Sequence, residues 1–210
     1  MKYKGIIFDL DGVICFTDQY HFQAWKKIAD KIGVPFDENR NNKLRGISTM
    51  DSLNIILEVS DRAYSEKEKL QFACEKDEIY KKLLRKMTPD DLEKEIRDTL
   101  NILKGKGYKL AIGSSSKNAK LILERIGALG YFHAVSDGTN IKNSKPDPEV
   151  FLKAAQFLGL KPEECLVVED AKAGIEAASA GGFDSAGIGE AAYHENVTYS
   201  LKHITDLKKI

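Results

Sequence analysis

Phe8-Asp9-Leu10-Asp11-Gly12-Val13 closes the first apolar run of the chain, which starts near Lys4. A short run that is apolar on both faces marks a strand of a parallel sheet covered by helices. This one then delivers two carboxylates two residues apart, followed by a glycine. Two later runs repeat the pattern. Lys109-Leu110-Ala111-Ile112-Gly113 leads into Ser114-Ser115-Ser116-Lys117-Asn118, and Cys165-Leu166-Val167-Val168 leads into Glu169-Asp170. Open α/β sheets bind ligands outside the carboxyl ends of their strands. The polar residues of this chain gather where the apolar runs end.

Helical patterns separate the runs. Ala119, Ile122, Leu123 and Ile126 share one face, as do Val150, Phe151, Ala154, Ala155 and Leu158, with Gly159 as the stop. Ala171 to Ala180 reads as a helix of small residues closed by Gly181-Gly182. The alternation predicts an α/β fold, a doubly wound, Rossmann-like parallel sheet. Residues 17–87 differ, because no strand pattern occurs there. Phe22, Trp25, Ile28, Ala29 and Ile32 form a stripe ending at Gly33. Leu53, Ile56 and Leu57 suggest a second helix after Ser48-Thr49. Ser65 and Glu68 form a capping box opening a long helix through Leu84. The reading is an α/β core of residues 1–16 and 88–210 with a helical cap of residues 17–87 inserted after the first strand. The alternating charges of Lys81 to Arg97 read as solvated helix faces.

Lys plus Arg equals Asp plus Glu, so no global field recruits nucleic acid or an anionic membrane. No apolar run approaches the ~20 residues of a membrane span. The three cysteines are scattered and lack metal-ligand spacing, which fits a reduced cytoplasmic setting.

The chemistry follows from the strand ends. Asp9 is placed to attack phosphorus while Asp11 swings over it to move a proton. Ser114, Ser115, Ser116, Lys117 and Asn118 offer hydroxyls, amides and a cation before a helix, an arrangement suited to phosphate. Lys145, in Ser144-Lys145-Pro146-Asp147-Pro148, is a candidate clamp for a phosphoryl oxygen. Glu169 and Asp170 beside Asp9 and Asp11 would repel one another, which a hard divalent cation resolves; Mg²⁺ suits phosphate substrates. In the helical segment His21 and Trp25 lie four apart on one face, Arg45 and Gly46 offer a cation in a turn, and Lys76 is one lysine among many.

In this order these motifs resemble the haloacid dehalogenase superfamily, with Phe8 to Val13, Ser114, Lys145 and Glu169-Asp170 matching its four motifs. Within it the chain is similar to the β-phosphoglucomutase-like family through Tyr20 to Trp25, Leu44-Arg45-Gly46-Ile47-Ser48, Asp51-Ser52-Leu53, Ser114 to Asn118, Ser144-Lys145-Pro146 and Glu169 to Ile175. The resemblance implies that Asp9 is phosphorylated, Asp11 is the general acid/base, and Mg²⁺ is held by Asp9, the Asp11 carbonyl and Asp170 with Glu169 nearby. It implies that Ser114 and Lys145 orient the transferring phosphoryl, that Ser116, Lys117 and Asn118 hold the other phosphate, and that Ser115 is a further substrate-binding residue. His21, Trp25, Arg45, Gly46, Ile47, Ser52 and Lys76 would meet the substrate. The implied reaction converts β-D-glucose 1-phosphate to glucose 6-phosphate through β-glucose 1,6-bisphosphate. The expected partner is a small-molecule sugar phosphate, and the chain is expected to be a monomer. Two positions depart from the family pattern: Thr49 stands where an arginine is usual, and Ala171 where serine is common. A Mg²⁺-dependent phosphatase of a small phosphorylated metabolite is therefore the alternative.

Overall fold

In the computed structural model, which describes residues 2–44 and 47–210, the chain divides into two units. One comprises Met1–Phe16 with Met87–Ile210, the other Thr17–Lys86. Met87 is buried, and its carbonyl accepts two hydrogen bonds from the Arg125 guanidinium at 3.1 and 2.8 Å. Those contacts belong to the α/β unit, so the helical segment ends one residue earlier than the sequence pattern suggested. No helix among the described residues is long and apolar enough to cross a membrane.

The larger unit is built on a parallel sheet of six strands: β1 (Gly5–Phe8), β2 (Lys109–Gly113), β3 (Ala134–Ser136), β4 (Cys165–Glu169), β5 (Asp184–Gly187) and β6 (Tyr199–Ser200). Their order is β3-β2-β1-β4-β5-β6. β1 pairs Gly5 with Lys109 on one side and with Cys165 on the other, so the first strand is central. The order reverses direction between β1 and β4, which makes their carboxyl ends the switch point where such sheets bind ligands. All four residues of β1 and all five of β4 are buried, as the two-faced apolar runs required.

Helix α7 (Glu149–Leu158) packs against β1, β2 and β3. With α8 (Lys172–Ala180) it buries Val150, Phe151, Ala154, Ala155, Ala177 and Ala178 against Ile7, Ala111 and Val167. The stretch from Lys81 to Arg97 carries mostly exposed charges, as expected, and spans parts of two helices. A 3₁₀ turn at Pro89–Asp91 interrupts it, capped by Thr88, and α5 (Lys94–Gly105) follows, burying Ile96, Leu100 and Leu103. α6 (Ala119–Arg125) buries Ala119, Ile122 and Leu123.

The smaller unit is helical throughout: α1 (Asp18–Ile32), α2 (Glu38–Asn42), α3 (Thr49–Leu57) and α4 (Glu66–Leu84). Gly33 ends α1 in the left-handed conformation, and Ser65 with Glu68 forms the capping box that opens α4. α1 and α3 both pack on α4, around a core of Trp25, Ile28, Ala29, Val34, Phe36, Leu53 and Ile56.

Candidate active site

The end of β1 fixes the first acid. The Asp9 amide donates to the Val168 carbonyl at 2.9 Å, so Asp9 continues the ladder and is only 8% exposed. The chain then turns sharply. Ile14 and Cys15 amides return to the Leu10 carbonyl, and the Gly12 amide donates to the Cys15 carbonyl at 2.7 Å. Gly12 has φ +91°, and a Cβ there would lie 2.1 Å from Asp170 Oδ2. Glycine is needed twice over, for the backbone conformation and for the close approach of the acid from β4.

Lys145 ties the strand ends together. Its Nζ donates to Asp9 Oδ1 and, at 2.5 Å, to Glu169 Oε1, and it lies 4.7 Å from the centre of the Phe151 ring. Its peptide bond to Pro146 is cis. The Lys145 amide reaches Ser115 Oγ at 3.4 Å. Burial works against the charge of this side chain, but the Asp9 and Glu169 carboxylates override it and hold the lysine above its ordinary range.

Glu169 is 1% exposed. Its Oε2 accepts from the Asp170 and Ala171 amides, both at 2.9 Å, while Oε1 faces Lys145. The carboxylate folds back over the start of α8, where a Cβ on Gly174 would come within 1.9 Å of Glu169 Cδ. The sequence placed Glu169 with the metal-binding acids. Its oxygens are engaged by Lys145 and by the backbone at the start of α8, beside Asp9 and Asp170.

Asp9, Glu169 and Asp170 put three carboxylates around one ammonium. Burial pushes the Asp9 carboxyl well above the usual aspartate range; Lys145 opposes this, while Glu169 and Asp170 add to it. Asp170 is pushed up to about 7, by burial first and then by the Glu169 charge. Among the described residues no three acidic, histidine or cysteine side chains converge as a complete metal cage. Mg²⁺ does not need one, because it is commonly held by one or two carboxylates with waters and substrate phosphate. Surplus negative charge on buried acids is the feature that fits a divalent cation here.

The serine run is partly consumed by its own turn. Ser114 Oγ accepts from the Ser116 amide at 3.1 Å, and Ser116 Oγ accepts from the Asn118 amide at 3.2 Å. Ser114 is buried and Lys117 exposed; Asn118 sits at the N-cap of α6 without a side-chain capping bond.

The helical unit holds a second cluster. Lys76 Nζ donates to His21 Nδ1 at 3.1 Å and lies over the rings of Trp25 and Tyr80. His21 stacks on Tyr80 with ring centres 4.1 Å apart. Burial, and then the nearby Lys76 charge, drive the His21 imidazole well below its usual pKa. The shared face of His21 and Trp25 is therefore real, and Lys76 joins them. Tyr80, whose hydroxyl donates to Thr17 Oγ1 at 3.0 Å, escaped the sequence reading. The signal was its place four residues after Lys76 on α4. Ser52 is buried on α3 and Ile47 is exposed. Arg45 and Gly46 lie outside the described residues.

Fold and site together define an α/β enzyme with an acidic switch-point centre, and residues 3–182 match the family described as haloacid dehalogenase-like hydrolase. The chain belongs to that family. Among its relatives, β-phosphoglucomutase of Bacillus subtilis (strain 168) is 43% identical over 189 residues, covering 89% of this chain and 84% of the relative. Fructose-1-phosphate phosphatase YqaB of Escherichia coli (strain K12) is 33% identical, covering 88% of this chain and 95% of the relative. A crystal structure of β-phosphoglucomutase from Clostridium difficile superposes with a TM-score of 0.88 at 37% identity, covering 98% of this chain and 93% of that one.

Proposed function

We propose that this enzyme is a β-phosphoglucomutase, interconverting β-D-glucose 1-phosphate and glucose 6-phosphate through an aspartyl phosphate on Asp9 and free or bound β-glucose 1,6-bisphosphate. The observation that carries the reading is Lys145 bridging Asp9 and Glu169 at the switch point, in a chain 43% identical to a β-phosphoglucomutase. Asp9 Oδ would attack phosphorus and the sugar oxygen would leave with a proton from Asp11. In the second half, Asp11 would take the proton from the incoming sugar hydroxyl as that oxygen attacks the aspartyl phosphate. Lys145, held by Glu169, would meet a transferring phosphoryl oxygen, with Ser114 beside it. Ser116, Lys117 and Asn118 would address the second phosphate, Ser115 would be a further substrate-binding residue, and His21, Trp25, Ser52 and Lys76 would meet the sugar. Mg²⁺, held by the Asp9 and Asp170 carboxylates and the Asp11 carbonyl, would supply positive charge against the phosphoryl oxygens.

The second reading, a sugar-phosphate phosphatase, is favoured by Thr49 in place of arginine and by a phosphatase relative of similar length. One coupled assay separates the two. The enzyme receives β-glucose 1-phosphate, Mg²⁺ and a trace of β-glucose 1,6-bisphosphate, and glucose 6-phosphate and inorganic phosphate are followed together. Glucose 6-phosphate is expected to dominate; phosphate release without it would reject the mutase. Asp9→Asn is expected to abolish turnover with an unchanged circular dichroism spectrum, and surviving activity would remove Asp9 as the nucleophile.

A further inference from the structure

Lys145 sits in a turn of the connection between β3 and α7, and Lys142, Asn143 and Ser144 just before it are exposed. A solvent-facing segment of this kind does not hold a terminal ammonium in place by itself. The restraint comes from the first turn of α7. Glu149 Oε2 accepts from the amides of Lys142 and Asn143, both at 2.9 Å. Glu149 Oε1 pairs with Lys153 at 2.8 Å, one helical turn on, and the same Lys153 Nζ donates to the Asn140 carbonyl. On the other side of Lys145, the Glu149 amide donates to Asp147 Oδ1 at 2.9 Å and the Asp147 amide to the Ser144 carbonyl at 3.1 Å. The helix that supplies Glu149 also supplies Phe151, whose ring lies beneath the Lys145 ammonium. Lys153 first, and then the Asn143 and Lys142 amides, hold the Glu149 carboxyl down at about 2, so the acceptor is ionised throughout the working range.

We infer that Glu149, braced by Lys153, is a positioning residue for phosphoryl transfer: it pins the loop on which Lys145 is carried and so sets where the lysine meets the reacting phosphoryl group. The inference rests on the role proposed above for Lys145. A residue that only stabilises α7 would show the same hydrogen bonds, so the test must separate the two.

A double-mutant cycle does so, read as kcat and KM for β-glucose 1-phosphate with enough enzyme to follow residual turnover. Glu149→Ala is expected to lower kcat by about 10- to 100-fold, the scale of a reacting group misplaced by an ångström, with KM within about twofold. In a Lys145→Ala background the same substitution is expected to change kcat by less than about twofold, because residues acting as one unit are not additive. Lys153→Met is expected to follow the same pattern with a smaller loss, and it carries the test if Glu149→Ala fails to fold. An equal loss in both backgrounds, or no loss in either, overturns the inference while leaving Lys145 in its role. Full activity of Lys145→Ala would instead overturn the role of Lys145, and the positioning claim with it.

Discussion

At the level of single residues, charge balance around Lys145 decides what the site tolerates. Lys145→Met leaves Asp9 and Glu169 facing each other with no cation, and removing one partner of a buried pair is expected to cost roughly 3–5 kcal/mol. Urea unfolding in the presence of EDTA would measure it; a midpoint shift corresponding to under about 1 kcal/mol would mean that the pair is solvated in solution. His21 gives a pH signature. Its imidazole is neutral in the folded chain, while in the unfolded chain it takes up a proton near pH 6.5. Below that pH the unfolded state binds the extra proton, so stability is full above about 6.5 and falls as the pH drops below it, by up to about 1.4 kcal/mol per unit. His21→Gln should flatten this slope between pH 7.5 and 5.5, and an unchanged slope would remove His21 as its source. The acids Asp9 and Asp170 and the cation Lys145 could be read from the chain because each follows or opposes a strand end. The task of Glu169 could not be read in the same way. Sequence does not tell which way a side chain leaves its strand, and the clue, Gly174 five residues later, is informative only once α8 is folded.

Among the elements, two glycines make opposite predictions. Gly174 lies inside α8, where alanine would ordinarily gain about 1 kcal/mol in helix propensity. Its missing Cβ is the space that Glu169 occupies. Gly174→Ala is therefore expected to destabilise and to lower activity together. Gly105 ends α5 with open space around it and without a left-handed backbone. Gly105→Ala is expected to stabilise by about 0.4–1 kcal/mol with activity unchanged. Thermal melts and the coupled assay on both variants check the pair; equal effects at the two positions would contradict the contact with Glu169. Strands β1, β2 and β4 were legible because apolar runs on two faces have few other uses. β3 has three residues, and β5 is Asp184-Ser185-Ala186-Gly187, so nothing in their composition separates them from loop. Only pairing with an already formed neighbour makes them strands. α5 was hidden by its charges, although Ile96, Leu100 and Leu103 kept the helical spacing throughout.

In the molecule as a whole, the one tryptophan reports on one unit. Trp25 is buried in the helical core, so its fluorescence reports on the packing of residues 17–86. The smaller unit buries a smaller share of its surface, so its fluorescence transition in urea is expected at a lower concentration than the loss of circular dichroism. Coincident transitions would mean that the two cores unfold as one. The central place of β1 reaches back to synthesis. Residues 5–8 leave the ribosome well before their hydrogen-bonding partners, which begin at Lys109 and Cys165. At about 5–20 residues per second, that apolar segment waits on the order of 5–20 s for its first neighbour. The helical residues 17–86 emerge as one unbroken stretch in the meantime, and can fold while the seed of the sheet is still exposed to chaperones.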